Sequence, residues 1–438
     1  MPSNEVVIMC DTFIALGNAT ASKSAILGKN SDREPNEAQE ILHVPAVSHE
    51  TSLVQCTYIQ IPQVSHTYEV ILSKPFQMWG AEMGCNEHGV AIGNEAIFTN
   101  VKKAKSNSGL TGMDVLRLSL ERSKDAEEAL KVCTSLIEKY GQDACGGYQD
   151  QSFYYDNSFI IADGVTAWKL ETAGRSWAAK RIVGFDSISN GISITDDYDD
   201  IYVDGSSHSS PDKSTSFRRQ YGEQLMDTMT RWKSRQACTI GPLKKHKGSI
   251  DLSLAIAILK THEKSQDQFK PHSSTARSVC MHASGFLNPS QTTGSMVVEW
   301  NKNGSPTVWL TGTSMPCLSI YKPFFFQAPI KMITPSSSPD ASLWWKAERL
   351  HRWIAADYQN RRLSYSSLCK ELQQKMFNEI GASWEERNKR DFSQRCWEEH
   401  LALIKRYTAE NNIKDLTPKS FFHPLYRYFW NKQNELFA

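Results

Sequence analysis

The chain has 438 residues, of which 40% are hydrophobic and 22% charged, the composition of a globular protein with a large core. Its 49 Lys plus Arg nearly match its 48 Asp plus Glu, so no global field draws it to nucleic acid or to an anionic membrane surface. No apolar run approaches the roughly 20 residues of a membrane span. The opening MPSNEVVIMC lacks the basic-then-apolar pattern of a secretory signal, and the ten cysteines follow no framework spacing, which together predict a cytoplasmic chain with mostly free thiols.

Residues 10–105 read mainly as strands and tight turns. VQCTYIQI (54–61) and YEVILS (68–73) are apolar and β-branched, and GVAIGNEAI (89–97) reads as a strand entered from a glycine turn. Apolar Met113, Leu116, Leu118 and Leu120 with Thr111 and Asp114 near their start, and then Ala126, Ala129, Leu130, Cys133, Leu136 and Ile137 at helical spacing, predict helices over 111–140 that stop at Gly141. Strands return over 158–195, with turn signals at Asp163-Gly164 and Ala173-Gly174. The Ser-rich stretch 200–216 reads as a surface loop. TTGSMVVEW and PTVWLTGTS pair around Asn303-Gly304. Beyond the Ser/Pro stretch 333–342 the pattern is helical to the end, and its Trp344, Trp345, Trp353, Trp384, Trp397 and Trp430 are assigned to core packing rather than to a partner surface. The α–β–β–α order predicts sheets covered by helices: a main domain over 10–332 and a helical C-terminal extension over 343–438.

Chemistry gathers near the start. Cys10 opens CDTFIAL, and a lone cysteine at a strand start is by itself a small buried hydrophobe. The next segment, ILGKNSDREPNEAQE (26–40), changes that weight by delivering Lys29, Asn30, Asp32 and Arg33 just past an apolar strand. A cation lowers a thiol pKa, and a carboxylate can orient an amine that acts as base. MWGAEMGCNEHGVAIGNEAIFT (78–99) then sets Glu82, Asn86, Glu87, His88, Asn94 and Glu95 between glycines, which permit close approach of another backbone or a ligand. An Asn amide is a suitable oxyanion donor.

Taken together, CDTFIAL, GKNSDREPNEAQE, WGAEMGCNEHGVAIGNEAI, SVCMHASGF, TTGSMVVEW and KPFFF resemble the secernin proteins and their dipeptidase relatives, and more distantly the penicillin V acylase and bile salt hydrolase group. The resemblance spans roughly 10–325 and extends weakly into LWWKAERLHR. It implies an α+β chain with the four-layer αββα sandwich of the N-terminal nucleophile (Ntn) hydrolases, a cysteine-type dipeptidase needing no cofactor and no metal. By position, Cys10 resembles the nucleophile, whose own freed α-amine serves as base. Asp32 resembles the carboxylate that holds this amine. Lys29 stands where acylase relatives carry Arg, keeping the charge but not the bidentate fork. Asn94 resembles the oxyanion donor, and Asn190 a second Asn that holds the amine or the substrate. Arg218, with Arg219 as competitor, resembles the cation ordering this network.

An Ntn enzyme needs its nucleophile at the mature N-terminus. Residues 1–9 are therefore expected either to be removed by attack of the Cys10 thiol on the Met9 carbonyl or to precede a true start at Met9. Two rival readings remain. Cys85 and His88, with Cys280 and His282, could supply four zinc ligands, but no H-E-x-x-H or second C-x-x-C accompanies them, and His282 is assigned as a buried histidine with one hydrogen bond. A non-hydrolytic binding scaffold on the same fold is the other. The expected partner is a small peptide or an acyl amide, with no nucleic acid and no membrane; a homo-oligomer is compatible with the sequence.

Overall fold

A computed structural model describes residues 9–205, 216–223, 229–380, 385–419 and 423–437. The strands, in chain order, are β1 (Cys10–Ala15), β2 (Ile26–Arg33), β3 (Gln39–Val44), β4 (Val47–Ser48), β5 (Leu53–Gln55), β6 (Gln60–Pro62), β7 (His66–Thr67), β8 (Val70–Pro75), β9 (Met83–Asn86), β10 (Ala91–Ile97), β11 (Asp156–Ala162), β12 (Ala167–Ala173), β13 (Ser176–Arg181), β14 (Phe185–Ile188), β15 (Asp200–Tyr202), β16 (Gln291–Trp300), β17 (Pro306–Leu310) and β18 (Lys322–Phe324). The helices are α1 (Gly112–Arg122), α2 (Ala126–Tyr140), the short α3 (Phe217–Tyr221), α4 (Trp232–Lys245), α5 (Leu252–Leu259), α6 (Leu343–Ala356), α7 (Tyr358–Glu379), α8 (Glu386–Glu410) and α9 (Pro424–Asn434).

Two antiparallel sheets carry the fold. One has the order β14-β1-β2-β16-β17-β18, the other β15-β13-β12-β11-β10-β9-β8-β3. Strand alternation assigns their faces. On β1 and β2, Ile14 and Leu27 point into a cluster shared with Met83, Cys85, Ala91 and Ile160 of the second sheet. Phe13, Ala15 and Ile26 point the other way, against Leu243, Ala255 and Ile256 of α4 and α5. The far face of the second sheet buries Val70, Leu72, Ile92, Phe159 and Leu170 under α1 and α2. The layers are thus helix, sheet, sheet, helix, the expected αββα sandwich. Every residue of β2 is buried, charges included, because both of its faces are covered.

Local chemistry explains the element ends. Thr111 and Asp114 form a reciprocal capping box at the start of α1, Asp125 caps α2, and Gly141 ends α2 at φ 68°. The strand expected over 54–61 is instead broken by a turn closed from Cys56 N–H to Ile59 O at 2.9 Å, so β5 and β6 form a separate two-stranded ribbon. Asp200–Tyr202, expected in a loop, forms the edge strand β15 against β13, and the loop's middle, 206–215, lies outside the described residues.

The C-terminal helices are not an appendage. Ile14, Leu27, Leu350, Tyr365, Trp397 and Trp430 belong to one hydrophobic cluster. Trp344 donates its indole N–H to Thr293 O at 2.9 Å and Trp430 donates to Ala283 O at 3.2 Å. Arg352 holds Pro35 O (2.9 Å), Asn36 Oδ1 (2.7 Å) and Gln433 O (3.0 Å), and Asn36 Nδ2 donates to Gln433 Oε1 at 2.7 Å. Trp384 lies outside the described residues. Among the described residues no helix is long and apolar enough to cross a membrane.

Candidate active site

The period of two along β1 and β2 sorts the site into two layers. Cys10, Thr12, Lys29 and Arg33 point between the sheets, where they meet Glu82 and Glu95. Lys29 Nζ is 3.3 Å from Glu95 Oε1 and 3.9 Å from Glu82 Oε2. Arg33 bridges Glu82 Oε1 (3.1 Å) and Glu37 Oε1 (2.5 Å). Thr12 Oγ1 donates to Glu95 Oε1. The sheets approach so closely here that a Cβ on Gly93 would sit 2.6 Å from Thr12 Oγ1 and 2.8 Å from Lys29 Cδ, which is why the position between Ile92 and Asn94 is glycine.

The outer layer holds Asp11 and Asp32. Arg235 on α4 pairs with Asp11 (Nε to Oδ2, 3.3 Å) and donates to Ser189 Oγ at 2.7 Å and to Asn190 Oδ1. Asn190 Oδ1 also accepts the Cys10 backbone N–H at 2.9 Å, while its Nδ2 donates to Ala96 O at 2.7 Å. Asp32 N–H points at Cys10 Sγ (3.4 Å), and Asp32 Oδ1 accepts from Thr292 Oγ1 at 2.5 Å. Asp32 Oδ2 is buried with no hydrogen-bond partner.

Burial dominates the electrostatics. It pushes the Cys10 thiol well above its ordinary value; Lys29 opposes this, and Glu82, Asp32 and Glu95 reinforce it. Burial, then the negative charge of Asp11, pushes Asp32 well above the carboxylate range. Burial raises Glu95 to about 7 against the pull of Lys29 and the Thr12 hydrogen bond. For Lys29 burial works downward, but the charges of Cys10, Glu95 and Glu82 outweigh it and the ammonium is held more tightly than usual. Cys10 itself is 1% exposed and Met9, just before it, 2%.

The structure therefore gathers Cys10, Lys29, Asp32 and Asn190 from three separate segments. Two of the expected residues lie apart from this group. Arg235, not Arg218, is the cation on Asn190 and Asp11; Arg218 is half-buried on α3 with its guanidinium 5.1 Å from the Trp232 ring centroid, and Arg219 is exposed. Arg235 sits in RWKSRQACTI, a helix with no motif to mark it. Asn94 alternates with Gly93 and Glu95, which face β1, so its side chain turns toward α1. There Nδ2 donates to Asn157 Oδ1 at 2.8 Å and Ser158 O at 3.4 Å. An oxyanion role would require that amide to leave Asn157. Glu82 and Glu95 were visible in sequence as charges between glycines but carried no assigned role. The zinc quartet with Cys85 and His88 does not form: Cys85 lies in the core with its thiol on Asn86 O, and the His88 ring packs edge-on against Tyr68.

Residues 19–148 match the sequence model of the family acyl-coenzyme A:6-aminopenicillanic acid acyl-transferase. Solved structures with similar folds include a variant of conjugated bile acid hydrolase from Clostridium perfringens, at 13% identity and TM-score 0.40, covering 68% of this chain and 88% of that one. Penicillin V acylase from Agrobacterium tumefaciens follows at 11% identity and TM-score 0.36, covering 69% and 82%. A Caenorhabditis elegans ortholog of N-acylethanolamine-hydrolyzing acid amidase has 12% identity and TM-score 0.35, covering 66% and 92%.

Proposed function

We propose that this chain is a cysteine-type Ntn amidase that acts through an acyl-enzyme at Cys10 once Cys10 is N-terminal. The observation that carries the reading is the hydrogen bond from Cys10 N to Asn190 Oδ1, inside a buried network that also contains the unpartnered Asp32 Oδ2. With an amide bond to Met9 that nitrogen is planar and not basic. Freed, it becomes an amine whose additional N–H groups can satisfy Asp32 and whose lone pair can take the thiol proton. The thiolate then attacks the substrate carbonyl, the C–N bond breaks as the amine leaves with the proton held on the Cys10 nitrogen, and water cleaves the resulting thioester to release the acid and restore the thiol. The match to an acyl-transferase family supports amide chemistry, and the solved structures of similar fold are named as a hydrolase, an acylase and an amidase.

The finer reading is a dipeptide substrate, supported by the resemblance of the sequence to the secernin-type dipeptidases, with an acyl amide as the alternative.

Intact-mass analysis of protein expressed from Met1 and from Met9, each with and without Cys10→Ala, tests the proposal. Active protein should begin at Cys10, and Cys10→Ala should abolish dipeptide hydrolysis. An active enzyme that retains residues 1–9, or one that tolerates Cys10→Ala, overturns it. Asn94→Ala settles the oxyanion role: a fall in kcat of about 10²–10³ supports it, and a loss of stability alone returns Asn94 to the framework.

A further inference from the structure

Between α5 and β16 the chain runs from 260 to 290 with one 3₁₀ turn, Pro271–Ser273, and no other helix or strand. So long an irregular stretch inside a packed domain needs an anchor. The stretch contributes His262, Cys280 and His282, and the 3₁₀ turn Pro316–Leu318 adds Cys317. One ligand atom from each of the four lies within 4.8 Å of the others. His282 Nε2 is 3.3 Å from Cys317 Sγ and 3.7 Å from Cys280 Sγ. Ligands on a tetrahedral zinc, with Zn–S about 2.3 Å and Zn–N about 2.0–2.1 Å, stand about 3.6 Å apart as N and S, and the observed pair brackets that value.

A second observation is independent of these distances. Neither ring nitrogen of His262 has a hydrogen-bond partner, although the residue is only 7% exposed, and Nδ1 of the buried His282 also lacks one. Buried imidazoles without partners are unfavourable unless something else ligates them. The surroundings are closed and aromatic: Phe269 stacks on His262 with centroids 3.6 Å apart, and Tyr358 Oη lies 3.9 Å from Cys317 Sγ.

We propose that His262, Cys280, His282 and Cys317 bind one Zn(II) as a closed two-cysteine, two-histidine site. Two thiolates cancel the charge of the ion, so the complex can stay buried without a counter-charge, and the soft donors select zinc over magnesium or calcium. Four protein ligands leave no position for water, which makes the ion structural. Its ligands flank the clamp on Asp32. Met281, between Cys280 and His282, exchanges hydrogen bonds with Thr292 (Met281 N to Thr292 Oγ1, 2.9 Å; Thr292 N to Met281 O, 3.1 Å). Met315, two residues before Cys317, donates to Thr292 O at 2.8 Å, and Thr292 Oγ1 holds Asp32. The ion ties down both segments that grip Thr292.

The test uses the full chain, purified without chelator, and reads metal rather than activity, so its outcome is separate from the amidase reading. Elemental analysis should find about one zinc per chain, and protein stripped and reloaded with Co(II) should show the thiolate charge-transfer band and intense visible bands of a tetrahedral centre with two sulfurs and two nitrogens. Cys280→Ser and Cys317→Ser should each reduce bound zinc at least about tenfold, while Cys85→Ser should not. Should those variants fail to fold, Cys317→His keeps four ligands and should bind cobalt with a weakened charge-transfer band. Folded wild type that takes up neither metal, retention of zinc in both serine variants, loss of zinc on Cys85→Ser, or a Cys280–Cys317 disulfide in freshly purified protein would overturn the proposal.

Discussion

Arg235→Met isolates what the outer layer of the site contributes. Arg235 and Asp11 are both fully buried, and the guanidinium also donates to Ser189 and Asn190. Burial holds the Asp11 carboxyl above its ordinary value even with Arg235 beside it, so the pair as a whole adds little to stability. Removing only the cation is different: it strands a carboxylate in the interior and costs about 3–5 kcal/mol. Adding Asp11→Asn removes the stranded charge, so the double variant should recover about 2 kcal/mol or more of that loss, a coupling readable from urea unfolding in a double-mutant cycle. The sign with pH follows from linkage. Loss of Arg235 lifts the folded Asp11 carboxyl further above its unfolded value of ~3.9, so the variant's destabilisation is smallest at low pH, where Asp11 is protonated in both proteins, and grows as pH rises from the wild-type folded value through the variant's. Additive losses, with coupling under about 0.5 kcal/mol, or a destabilisation that shrinks with rising pH, would refute this account of the site.

Three further outcomes are expected. Glu95 titrates at about 7 when folded and near ~4.5 when unfolded, so its burial opposes folding increasingly as pH rises between those values, by roughly 3 kcal/mol in full; Glu95→Gln should flatten the fall in stability measured across that window. Gly93→Ala drives a methyl into Thr12 and Lys29 and should cost about 1–3 kcal/mol by chemical denaturation, with a further loss of hydrolysis because Lys29 is displaced. Protein that still carries residues 1–9 should alkylate at Cys10 far more slowly at pH 7 than protein beginning at Cys10, by competitive labelling and mass spectrometry, since burial keeps the thiol protonated in the longer form.

What could be read in advance follows the range of the interactions. Periodicity and caps place α1, α2, β8, β10 and the β16–β17 hairpin, because each signal lies within its own segment. Cys10, Lys29 and Asp32 stand out because strands β1 and β2 carry them as neighbours in register, with Cys10 opposite Ser31 and Thr12 opposite Lys29. Arg235 does not stand out: it reaches Asn190 from 45 residues away, and nothing in its own helix differs from a solvated face. The face that Asn94 presents is hidden for a related reason. A residue's type survives inspection of the sequence, but the face of the strand to which it points is settled only by register against β11. The four proposed zinc ligands are drawn from two separate segments, and only the Cys280–His282 pair is close enough in sequence to attract notice, which is how Cys85 and His88 came to be joined with it.

The hold of the last helix on the turn after β2 sets a clock. Asn36, three residues beyond Arg33, bonds to Gln433, which is 397 residues later in the chain. At about 5–20 residues per second, the ribosome needs roughly 20–80 s to deliver that partner after Asn36 has been made. Through that interval Cys10, Lys29 and Asp32 already exist as polypeptide, but the loop behind them is unanchored. A nascent chain thus carries Cys10 from the first seconds of synthesis and gains the Asn36–Gln433 contact only after Gln433 has been made, so any step that needs this contact waits for it.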